Sequence, residues 1–77
     1  MQELIRHIAL ALVAHPDAVE ITEEQVDEEN STIILKVAPD DLGKVIGKQG
    51  RTARAMRSLL SAATHGQTVQ YRLEIAE

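Results

Sequence analysis

The chain has 77 residues, 44% of them hydrophobic, which suffices for one packed core and is too much for a disordered tail. Tyr71 is the only aromatic residue and there is no cysteine, so a row of stacking aromatics, a disulfide framework, a thiolate nucleophile and a cysteine metal site are all excluded. The net charge of -4 hides an uneven distribution: residues 1–41 carry ten acids and two bases, and residues 42–77 carry six bases and two acids. Five of those bases fall between Lys44 and Arg57 with no acid among them, and a local field of one sign attracts anions whatever the global charge.

No apolar run approaches the length needed to span a bilayer. Glu3 and Arg6 stand where a signal peptide would have its basic and apolar regions. A cytoplasmic protein with no membrane association is expected.

In chain order, residues 2–14 read as a helix, with Leu4, Ile8 and Leu12 forming a stripe beside Ile5 and Ala9. His15-Pro16 ends it, since the residue before proline avoids the α region. Leu10 and Val13 lie off the stripe and either widen the apolar face or meet a second subunit. Residues 18–26 alternate weakly and read as a strand, Val19 and Ile21 facing one way. Asp27-Glu28-Glu29-Asn30-Ser31 is a polar turn. Residues 32–38 form a stronger strand with Ile33, Leu35 and Val37 on one face. The two strands predict a hairpin.

Pro39-Asp40-Asp41 then opens a short helix, proline suiting a first turn and aspartate the positive helix end. Leu42, Val45 and Ile46 supply its apolar side. A second helix runs from about Arg51 to Thr64, with Met56, Leu59, Leu60 and Ala63 expected inward and Gly66 closing it. Residues 68–75 alternate as a half-buried strand through Val69, Tyr71, Leu73 and Ile75. The order α-β-β-α-α-β predicts one α+β domain over residues 1–77, in two layers around one core.

The stretch that carries chemistry joins the two short helices: Leu42-Gly43-Lys44-Val45-Ile46-Gly47-Lys48-Gln49-Gly50-Arg51. Two glycines flank two polar residues, so the backbone turns sharply and presents little side chain, and another chain can come close. The next helix starts near Arg51, and its first amides form a ready phosphate site, with Lys48 and Arg51 adding full charges. Val45, Ile46, Ala53 and Met56 are candidates for an apolar groove beside it. Such a groove takes unstacked bases instead of a duplex.

Other chemistries fit poorly. Read as a nucleotide-hydrolase phosphate loop, the run between Gly43 and Gly47 is three residues instead of four, and Gln49 stands where a magnesium-binding hydroxyl belongs. His7, His15 and His65 lack metal-ligand spacing, and Asp27-Glu28-Glu29 lacks the spaced oxygens of a calcium loop. Ser58 and Ser61 have no neighbouring base in sequence. No catalytic residue, metal or cofactor is expected.

Val45-Ile46-Gly47-Lys48-Gln49-Gly50 resembles the GXXG signature of the KH domain, and the element order resembles the type II arrangement of prokaryotic KH proteins. Within that family the chain is similar to the small single-domain KhpA type, matching its pattern at Gly43, Lys44, Ile46, Gly47, Lys48, Gly50 and Arg51. The resemblance implies a three-stranded mixed sheet with three helices packed on one face. It implies single-stranded RNA running past Gly47, Lys48, Gln49 and Gly50, which would contact its sugar-phosphate backbone. Arg51 would add to the grip, Lys44, Arg54 and Arg57 would add longer-range attraction, and Val45, Ile46, Ala53, Met56 and the last strand would line the base groove. Ala53 departs from the family pattern, where a large aliphatic is usual. A bacterial RNA chaperone or post-transcriptional regulator is the implied role, acting as a homodimer or with a larger KhpB-type partner. A KH-shaped protein-interaction module with little RNA affinity is the alternative, suggested by the net negative charge, Ala53 and the spare apolar residues.

Overall fold

The structure, a computed structural model, describes residues 1–76. Its elements are α1 (Gln2–Leu12), β1 (Glu20–Gln25), β2 (Asn30–Lys36), α2 (Leu42–Ile46), α3 (Arg51–Ala63) and β3 (Gln70–Ala76), with 3-10 turns at Pro16–Ala18, Pro39–Asp41 and Lys48–Gly50. The sheet order is β1-β2-β3, with β1 antiparallel to β2 and β2 parallel to β3. A parallel pair needs a crossover, and here α2 and α3 provide it. The result is α+β, three helices and a mixed three-stranded sheet, as a type II KH fold requires.

The predicted hairpin forms. Val26 and Asp27 donate their amides to the Asn30 carbonyl at 2.9 and 3.2 Å. The Asp27 carboxylate accepts from the Glu29 amide at 2.8 Å and from Asn30 Nδ2 at 3.0 Å. The Asn30 side chain, followed by the Glu29 amide, holds that carboxyl below its ordinary range.

Burial follows the alternation along the central strand. Ser31, Ile33 and Leu35 are buried and alternate with half-buried Thr32 and Ile34. They face the layer in which α1 touches β1 and α3 touches β3. The opposite face, with Thr22, Lys36, Arg72 and Glu74 exposed, has no such cover.

On the helices the buried line is rotated from the expected one. In α1, Ile5 and Ala9 are fully buried, Leu4 and Ile8 are half-buried, and Leu12 is 37% exposed. In α3 the buried line is Ala53, Met56 and Leu60, while Leu59 is 51% exposed and Ala63 is also exposed. Both helices carry apolar residues on more rows than the core buries. Each residue turns about 100° around the axis, so packing chose which neighbouring row to bury. Small residues, Ala9 and Ala53, sit on the chosen rows. Of the two residues off the α1 stripe, Leu10 is 43% exposed and Val13 packs against the core.

Helix α1 also ends two residues before the expected boundary, because the chain turns to meet a buried acid. Val13 is extended, at φ -89° and ψ 154°. The next two amides, of Ala14 and His15, donate to Asp41 Oδ1 at 3.0 Å and Oδ2 at 2.9 Å. Asp41 therefore does not serve its own helix end, as the sequence suggested. It ties the exit of α1 to the entry of α2.

Candidate nucleic-acid interface

Helix α2 is closed by Gly47, whose amide donates to the Gly43 carbonyl at 2.8 Å. Gly47 sits at φ 77° and ψ 169°, Gln49 at φ 58° and ψ 24°, and Gly50 at φ 75° and ψ 13°. Three positive φ values within four residues reverse the chain in the least space. The Gly50 amide donates to the Gly47 carbonyl at 3.0 Å, and the Arg51 amide donates to the Lys48 carbonyl. The amides of Lys48 and Gln49 have no acceptor among the described residues. Both residues are exposed, and Gly47 and Gly50 are half-buried. The bend lies on the surface with two main-chain donors unengaged, and α3 begins immediately after it with its positive end toward the loop.

Charge around the loop is unopposed. No acidic side chain occurs from residue 42 to residue 73. Among the described residues the ion pairs are Lys36 with Glu20 at 3.9 Å and Lys44 with Asp41 at 3.4 Å. Among the described residues Lys48, Arg51, Arg54 and Arg57 have no acidic partner. Their polar contacts are neutral: Arg51 Nη2 donates to Gln49 Oε1, and Arg57 Nε donates to the Leu73 carbonyl, each at 3.4 Å.

The structure thus brings Gly47, Lys48, Gln49, Gly50, Arg51 and Arg54 together along the bend and the first turn of α3, with half-buried Ile46 behind them. Lys44 stands apart: its ammonium is directed at Asp41, so part of its attraction for an outside anion is already used. The expected apolar groove is corrected. Val45, Ala53 and Met56 are 0%, 4% and 1% exposed and belong to the core. The cleft that does open along the last strand, about 420 Å³, is lined by Arg57, Leu60, Tyr71, Arg72 and Leu73. Tyr71 and Arg72 lie on the last strand, which the resemblance placed along the groove, although neither residue was singled out.

Asp41 was also missed as a site-shaping residue. Burial alone would raise its carboxyl; the amides of Ala14 and His15 and the ammonium of Lys44 outweigh that and hold it below its ordinary value. At the other end of α2, a methyl group on Gly47 would overlap Thr52 Oγ1 and lie 2.8 Å from the Thr52 nitrogen. Pinned at both ends, the five residues of α2 aim the loop.

The model of the KhpA/KhpB KH domain matches residues 2–75. The chain belongs to the KhpA/KhpB KH-domain family. Curated relatives agree along the whole length. The RNA-binding protein KhpA of Halalkalibacterium halodurans is 52% identical over 77 residues, covering 100% of both chains. That of Treponema pallidum is 49% identical, covering 99% of this chain and 94% of its own. That of Listeria monocytogenes is 47% identical, covering 100% of both. Among the described residues no helix is long and apolar enough to cross a membrane.

Proposed function

We propose that this chain, as a single KH domain over residues 1–77, binds single-stranded RNA without catalysing a reaction on it. The observation that carries the reading is the exposed Gly47–Gly50 bend, with the Lys48 and Gln49 amides unengaged and Lys48, Arg51 and Arg54 unpaired beside it. Main-chain donors plus free cations suit phosphodiester oxygens. The family, and relatives named as RNA-binding proteins, support RNA as the polyanion.

The working role is that of an RNA chaperone or post-transcriptional regulator in the bacterial cytoplasm. Two to four phosphate contacts give weak binding, with a log–log salt slope of roughly -1.5 to -3. Pairing two domains raises the avidity, through a homodimer or a KhpB-type partner. Leu10 and Leu59, 43% and 51% exposed, are apolar surface available for that contact.

The test replaces Lys48 and Gln49 with Asp. Aspartate tolerates the left-handed backbone of Gln49, so the variant keeps its circular dichroism spectrum and melting temperature. Affinity for a short oligouridylate is expected to fall about tenfold or more at low salt. Undiminished binding by the folded variant would remove the loop as the site. The exposed leucines favour a second reading, a protein-interaction module. Tight self-association in gel filtration with no RNA signal at low salt is the outcome that would select it.

A further inference from the structure

The bend accounts for a few nucleotides, yet the unpaired charge continues well past it. Around α3 the side chains divide by flank. Leu59 and Ala63 are exposed on one side of the buried line of Ala53, Met56 and Leu60. On the other side Arg54, Arg57, Ser58 and Ser61, joined by Ala62 and by His65 in the turn after the helix, line one open trough. The spacing of three, one and three residues from Arg54 to Ser61 keeps those four on a single face. All six lining residues are exposed. None has an acidic partner among the described residues, and the sequence has no acid between Asp41 and Glu74 that could supply one locally. Arg57 is held in place by its bond to the Leu73 carbonyl, so its guanidinium is partly ordered before any ligand arrives.

A solvated surface helix ordinarily intersperses both signs. Here one flank offers guanidinium and hydroxyl donors along about 10 Å of helix, beginning one turn beyond the GXXG bend, with the His65 imidazole in the turn after it. Hydroxyl and guanidinium donors in a row without acids suit successive phosphates and carry no base code.

We propose that this flank of α3, from Arg54 to Ser61, with His65 in the turn beyond it, is a second phosphate track that takes up the RNA strand as it leaves the bend. This rests on the RNA-binding reading of the loop and extends it: the preferred ligand is a strand several nucleotides longer than the loop alone can hold. Arg54 and Arg57 bind phosphate oxygens; Ser58, Ser61 and His65 add hydrogen bonds farther along.

The experiment titrates the full chain with a four-nucleotide and a twelve-nucleotide oligouridylate by fluorescence anisotropy over a range of salt concentrations. The longer probe is expected to bind with a log–log salt slope steeper by about 0.7 for each added phosphate held, two being expected. A variant carrying Ser58→Glu and Ser61→Glu places carboxylates within reach of both arginines on the exposed face, away from the core. It is expected to lose about tenfold in affinity for the longer probe and return its slope to that of the shorter one, while the shorter probe, for which Arg54 is the only one of the two arginines in reach, weakens by a smaller factor. Ala63→Glu, on the opposite flank, is expected to leave the longer probe's slope unchanged. Equal slopes for the two probes in the unmodified chain overturn the track while leaving the loop site standing. So does a folded Ser58→Glu, Ser61→Glu variant that binds the longer probe undiminished. Absence of binding by either probe at low salt sinks the loop reading, and the track with it.

Discussion

At Gly47 the backbone occupies φ 77° and ψ 169°, a region open in practice to glycine alone, and the Cβ position is already filled by Thr52. Gly50 differs: its φ of 75° and ψ of 13° lie in the left-handed helical region, and a Cβ there would meet open space. The two glycines of the motif therefore have unequal demands. Gly47→Ala is expected to destabilise the fold by about 3 kcal/mol or more, from backbone strain plus overlap. Gly50→Asn is expected to cost about 1 kcal/mol or less. Urea denaturation followed by circular dichroism measures both, and equal costs would contradict the geometry. The glycine spacing was readable as a bend, but the inequality was not, because it depends on where Thr52 comes to rest.

Helix α3 carries its apolar residues on more rows than the core can accept. Met56 is 1% exposed and Leu59 51% exposed, although either reads as a core residue from spacing. Met56→Ala is expected to cost about 2–4 kcal/mol, since it opens a cavity in a closed core. Leu59→Ala is expected to cost about 0.5 kcal/mol or less in the monomer. Thermal melts of the two variants at low protein concentration check the contrast. The strands were easier to read than the helices. A period of two leaves a strand only two faces, and β2, paired on both edges, buries Ile33 and Leu35 as its alternation demands. A helix offers a continuous set of rotations, and contact with neighbours chooses among them. The apolar residues behind the loop show the same limit. Val45, Ala53 and Met56 were placed in a groove by proximity in sequence, yet they are core, and of the expected lining it is the last strand, through Tyr71 and Arg72, that borders the cleft.

Across the molecule, acids and bases separate. The hairpin and β1 carry most of the exposed carboxylates, while the loop and α3 carry unpaired cations, so a net charge of -4 coexists with a basic surface. Asp41 is the acid that crosses this division, buried between the exit of α1 and the entry of α2. Its carboxyl is held below the ordinary value of 3.8, so its stabilising effect is complete above that pH and is lost as the pH falls through the lower folded-state value. Asp41→Asn keeps the shape but turns one acceptor into a donor facing an amide. The variant is expected to melt below the unmodified protein at pH 7, and the gap is expected to narrow as the pH drops below about 4. A gap independent of pH would mean that the carboxylate charge is not what holds the two segments together. The same loss of the tie is expected to loosen the loop, because α2 has only five residues between Asp41 and Gly47.

By itself the sequence determined the element order, the hairpin, the inward face of the central strand, the bend at Gly47–Gly50 and the run of bases around it. All of these are set by local rules: side-chain periodicity, turn chemistry, and charges placed in a row. Only the tertiary structure decided which helical rows are buried, that Lys44 is drawn to Asp41, and that Val45, Ala53 and Met56 close into the core while Arg57 and Leu60 face β3 across the cleft. Those outcomes depend on which residues distant in the chain meet, and close packing settles that over the whole molecule at once.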